Sequence, residues 1–138
     1  MRQQKAGRSL VADPAVDLGQ VGWVRRGARS LAAARLGLEA GLPNATASNA
    51  VLSGINSKDS ICLALTGRTS KSQSHLQAVD ELRRAGRGGR NVAPLLQRLL
   101  QLKSKSQYEN DSVSARDATS AVAWATRLFE AACEIANG

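Results

Sequence analysis

Apolar residues return at three- and four-residue steps along most of this sequence. Over residues 21–40, Val24, Ala28, Leu31, Ala34 and Leu38, followed by Leu42, fall on one helical face, while Arg25, Arg26, Arg29 and Arg35 fall largely outside it. The spacing predicts a helix that Gly41 ends. A second helix is expected over 44–65, capped by Asn44, with Ala47, Val51, Ile55, Cys62 and Leu65 on its apolar side and Asp59 beside that stripe as a polar group near the core. Gly54 sits in its middle, where a missing Cβ allows a neighbouring helix to come close.

Gly67 stops the second helix, and residues 68–74 read as a polar, serine-rich loop. A short third helix over 74–85 places His75, Val79 and Leu82 on one side. Residues 86–90, Gly-Arg-Gly-Gly-Arg, read as a flexible basic loop. No strand precedes them and no Lys-Ser/Thr pair follows, so they do not form a phosphate-cradling loop. Asn91 is the expected cap of a fourth helix over 91–105, with Pro94 in its first turn and Val92, Leu95, Leu96, Leu99 and Leu102 facing the core. After a loop over 107–113, Ser114 and Asp117 form an acidic capping box for a last helix to residue 136. Its inner face is Ala118, Ala121, Val122, Ala125, Leu128, Phe129 and Ala132.

Strand-like alternation and internal repeats are both missing from the pattern. The fold class is therefore all-α: an antiparallel up-and-down bundle of four to five helices, forming a single domain over 21–138. Residues 1–20 lack a helical stripe and read as a poorly ordered N-terminal arm or a weak first helix.

Composition sharpens this picture. Apolar types make up 43% of the 138 residues but aromatics only 3%, so the core must be built from Leu, Ala, Val and Ile. Nineteen basic residues against eleven acidic give a net charge of +8, a surplus that attracts polyanions. The scarcity of aromatic platforms argues against a single-strand binder that works mainly by stacking bases. Cys62 and Cys133 each lie in an apolar helical stretch and read as buried thiols. With one histidine they cannot supply the four ligands of a structural zinc site. No apolar run is long enough to span a membrane, and no apolar signal core follows the basic Arg2, Lys5 and Arg8. The expected location is cytoplasmic, with no cofactor.

Helix order and three stretches resemble the HEPN family, whose domains are bundles of four or five helices. The first is Gly41-Leu42-Pro43-Asn44 leading to Ser53-Gly54-Ile55-Asn56-Ser57-Lys58-Asp59. The second is Leu65-Thr66-Gly67-Arg68 with His75 opening the next helix. The third is Leu99-Leu100-Gln101-Leu102-Lys103-Ser104-Lys105-Ser106-Gln107-Tyr108. The resemblance covers residues 21–136. HEPN ribonucleases carry an Arg, four to six residues, then a His, which implies a metal-independent chemistry. The His takes the proton of a ribose 2′-hydroxyl, and the Arg steadies charge on the phosphorane. Arg68 and His75, with six residues between them, match this spacing literally and are the candidate catalytic pair.

In the catalytic members the motif lies later, at the place occupied here by 103–108, where lysine stands for arginine and Tyr108 for histidine. Non-catalytic branches of the family show such a pattern. The resemblance then implies a nucleic-acid-contacting patch of Lys103, Lys105 and Tyr108, extended by Arg83, Arg84, Arg87, Arg90 and Arg98. Plainer readings stand beside these: His75 as a helix-opening residue, the two lysines as cations favoured by a helix C-terminus, and Tyr108 as a half-buried ring. The expected function is a nucleic-acid- or nucleotide-associated accessory module of a toxin–antitoxin or defence system. Its expected partners are RNA or another nucleic acid, a nucleotidyltransferase or antitoxin protein, and a second copy of the chain. The alternatives are a metal-independent ribonuclease and a scaffolding helical dimer.

Overall fold

The computed structural model describes the backbone of residues 14–71, 74–108 and 112–138, and the side chains of 22–71, 74–104 and 112–138. Five helices follow one another: α1 (Pro14–Glu39), α2 (Pro43–Thr66), α3 (His75–Arg84), α4 (Arg87–Tyr108) and α5 (Ala115–Asn137). The described residues contain no strand, so the fold is an all-α bundle. The part of the expected arm before Pro14 lies outside the described residues. Residues 14–20 belong to α1, which starts well before position 21.

Gly41, with φ +73°, ends α1 in a left-handed turn. Gly41 N donates to Leu38 O and Leu42 N to Gly37 O, which satisfies two of the last carbonyls of the helix. The chain then reverses into α2 through Pro43. Asn44 is not the cap of α2: Leu42 holds that position, and no side chain caps it. Asn44 Oδ1 instead accepts from Val113 N at 2.8 Å, pinning the segment before α5 to the start of α2.

α2 packs against each of the other four helices and is buried on nearly all sides. Its contact with α1 is close because small residues line it. The buried face of α1 is Gly27, Ser30, Leu31, Ala34 and Gly37, whereas Ala28 and Leu42 of the expected stripe are exposed. Ser53 Oγ donates to Gly27 O at 2.8 Å, and a Cβ on Gly37 would lie 2.8 Å from Thr46 Oγ1. Gly54 meets the expectation of a close approach: a Cβ there would sit 2.7 Å from Leu99 Cδ1.

The basic glycine-rich stretch is not a loop. Only Gly86, with φ +142°, forms the turn, and Arg87 to Arg90 are the first helical turn of α4. A Cβ on Gly89 would collide with the carbonyl oxygen of Leu82, and one on Gly88 would lie 2.9 Å from Ile135 Cδ1. These glycines let α4 start hard against α3 and α5. Asn91 is therefore inside the helix rather than its cap, and Pro94 lies in its interior rather than its first turn. α3 is closed by a reciprocal capping box between Ser74 and Gln77, and Ser114 Oγ accepts from Asp117 N at the start of α5. The core joins Leu31, Ile61, Cys62, Leu82, Leu96, Leu99 and Leu128.

Candidate nucleic-acid interface

A central helix packed against four others must bury most of what it carries, and α2 carries an unbroken polar run, Asn56-Ser57-Lys58-Asp59-Ser60. Lys58 is 1% exposed. A charge held so far from water needs partners. Its Nζ lies 3.1 Å from Asp59 Oδ1, donates to Thr69 Oγ1 at 3.0 Å and to the Ser70 carbonyl at 3.2 Å, and pairs with Glu81. Thr69 Oγ1 donates to Asp59 Oδ1 at 2.6 Å, and Glu81 accepts from Ser70 N and, at 2.9 Å, from Ser70 Oγ. Burial is the largest influence on the Lys58 pKa and lowers it, but the Glu81 hydrogen bond and the charge and hydrogen bond of Asp59 together outweigh it. The pKa lies above the usual lysine value, so the side chain is an ammonium at neutral pH. The same burial pushes the neighbouring Cys62 thiol up to about 12.

This network fastens residues 69–70, on the segment after α2, to α2 and α3. Next to it opens a cleft of about 320 Å³. Ile55, Ala78, Leu96 and Leu100 give the cleft an apolar lining, and Asn56, Lys58, Asp59 and Ser70 connect it to the polar run. Trp23, Lys71, His75 and Lys103 complete it. Lys71 Nζ and the Arg26 guanidinium lie 4.9 and 4.7 Å from the centre of the Trp23 ring, where the π-cloud attracts cations. His75 Nδ1 is 3.4 Å from Ser104 Oγ. Lys58 has its N–H groups committed to protein oxygens, so the cations able to meet an anion in the cleft are Lys71 and Lys103, both exposed and without an ion pair among the described residues.

Of the residues expected to form the site, His75 and Lys103 come together in this cleft. Arg68 does not line it. With Arg84, Asp80 and Glu81, Arg68 borders a separate, open groove beyond Ser70. Arg83 and Arg84 pair with Asp80 at 3.6 and 3.1 Å on the surface of α3. Arg87 and Arg90 are exposed on the first turn of α4, and Arg98 lies 6.0 Å from the Trp124 ring. The side chains of Lys105 and Tyr108 lie outside the described residues. Trp23, Asn56, Lys58 and Lys71 were not expected in a site. The available signals were a polar run inside an apolar helix and one of only two tryptophans in the chain.

A second, larger groove between α2 and α4, lined by Ala47, Val51, Leu52 and Leu102, meets the cleft at Ile55 and Lys103. Among the described residues no group of histidine, cysteine and acidic side chains could hold a metal ion, and no helix is long and apolar enough to cross a membrane. Comparison with protein-family models, with curated proteins and with solved structures finds no match.

Proposed function

We propose that this chain is a HEPN-like module that binds RNA or another nucleic acid through the cleft of Trp23, Asn56, Lys71, His75 and Lys103. The observation that carries the reading is the pairing, in one cleft, of two exposed lysines without ion pairs among the described residues and an apolar lining of Ile55, Leu96 and Leu100. Phosphate needs the first and a base needs the second. The net charge of +8 supplies long-range attraction for such a partner. The same reading includes a cytoplasmic setting of toxin–antitoxin or defence type, a nucleotidyltransferase or antitoxin partner, and a homodimer. Leu36 and Leu76, 67% and 78% exposed, are apolar positions a protein partner would cover. Fluorescence anisotropy with a labelled single-stranded RNA, titrated at several salt concentrations, tests the binding. Two lysine–phosphate contacts predict a slope of log affinity against log salt of about −1.4. A flat salt response, or no binding at micromolar protein, overturns the reading.

Metal-independent RNA cleavage is the second reading, and His75 favours it. The only histidine of the chain stands in the cleft with two lysines, as a base that could take a 2′-hydroxyl proton beside cations for the phosphorane. Arg68, the partner its spacing suggested, lines another groove, so Lys71 or Lys103 would have to replace it. Incubating total RNA with the protein in EDTA, beside His75→Ala, decides it. Cleavage that disappears in the variant supports catalysis, and intact RNA leaves binding alone.

A further inference from the structure

One group in the cleft is not explained by phosphate binding. Asn56 is 6% exposed, lines the cleft, and its amide makes no hydrogen bond among the described residues. The side-chain atoms sealed from water without a partner among the described residues are Ser57 Oγ and Ser60 Oγ, so the Asn56 amide is still reached by solvent from the cleft, and a ligand entering there would take the place of that water. Lysines alone would suffice for a phosphate. An amide instead presents one donor and one acceptor side by side, complementary to the edge of a nucleobase, which also offers a donor beside an acceptor. Ile55, Leu96 and Leu100 nearby can cover the apolar faces of such a ring. The volume of about 320 Å³ is at the small end of ligand pockets and suits one such unit.

We propose that Asn56 is the specificity element of the cleft, hydrogen-bonding the edge of one unpaired base whose adjoining phosphates meet Lys71 and Lys103. The partner is then a single strand, since a duplex keeps its base edges paired and would first have to extrude one. This inference rests on the nucleic-acid reading above. Trp23 is not the reader, because its ring already holds Lys71 and Arg26.

The test compares a single-stranded RNA with an abasic strand of equal length and charge, and with the matching duplex, on wild-type protein, Asn56→Ala and Asn56→Leu. The leucine is of nearly equal size, adds no charge and offers neither donor nor acceptor, so it serves if the alanine weakens the fold. Wild type should prefer the base-bearing strand over both the abasic strand and the duplex by about tenfold or more. Both variants should reduce the preference over the abasic strand to less than about threefold while keeping the salt slope, because the lysines are untouched. A preference that persists in both variants overturns the role of Asn56. Equal binding of the base-bearing and abasic strands with a steep salt slope also overturns it, yet leaves the nucleic-acid reading intact. Binding of no strand removes both.

Discussion

Lys58 Nζ donates to Thr69 Oγ1 at 3.0 Å, and through that bond a buried helix holds the segment that borders the cleft. Asp59 and Glu81 complete the arrangement, and removing the ammonium leaves the buried Asp59 carboxylate without its counter-charge. Lys58→Ala should cost about 3–5 kcal/mol of stability. Thr69→Val, which removes a neutral partner, should cost about 1 kcal/mol. Urea denaturation measures both, and equal, small losses would show that the network does not hold the fold.

The same cluster sets an alkaline limit. The thiol of Cys62 ionises near its ordinary value of 9.0 when unfolded and only at about 12 when folded. The unfolded chain therefore loses its proton first, and stability falls as pH rises above 9. Lys58 adds to this from its ordinary value of 10.5 upward: its folded pKa is raised, so its contribution is complete below 10.5 and is lost as pH climbs through the folded value. Denaturation midpoints measured from pH 7 to 11 should be level to about pH 9 and then decline. Cys62→Ala should remove most of the decline between 9 and 10.5, leaving the smaller part due to Cys133, whose pKa burial also raises.

Gly89 tests why α4 begins where it does. Its helical position would gain about 1 kcal/mol from alanine on propensity alone. The Leu82 carbonyl occupies the space a Cβ needs, and backbone cannot step aside as a side-chain tip can. Gly89→Ala should therefore destabilise by about 1–3 kcal/mol. A control such as Gly22, where a Cβ meets nothing within 4 Å, should gain slightly from the same change. Thermal denaturation of the two variants distinguishes the effects.

How far the sequence revealed these features depended on the helix. α3, α4 and α5 each bury one face, so Val79, Leu82, Leu96, Leu99 and Leu128 were legible from spacing. α2 is covered on most sides through its second half and has no single stripe there, which hid the buried run of Asn56 to Ser60 apart from Asp59. Gly88 and Gly89 carry the composition of a loop, but their role is close packing, a property of neighbours distant in the chain or across a turn. On α1 Leu31 and Ala34 were legible, but Gly27, Ser30 and Gly37, which complete the buried face, are residues that hydropathy does not mark as interior. His75 and Lys103 were singled out in the sequence only through a resemblance; that they share a cleft, and that Arg68 lies outside it, depended on how the segment after α2 folds back over α2 and α3.

On the proposed reading, nucleic acid is held by the cleft rather than by positive charge at large. RNA affinity of Lys71→Ala/Lys103→Ala against Arg83→Ala/Arg84→Ala tests it directly, since each pair removes two exposed cations and the arginines already face Asp80. The lysine pair should lose about tenfold or more in affinity and most of its salt slope, while the arginine pair should change by less than about threefold. Equal losses in the two double variants, or a larger one for the arginines, would contradict it.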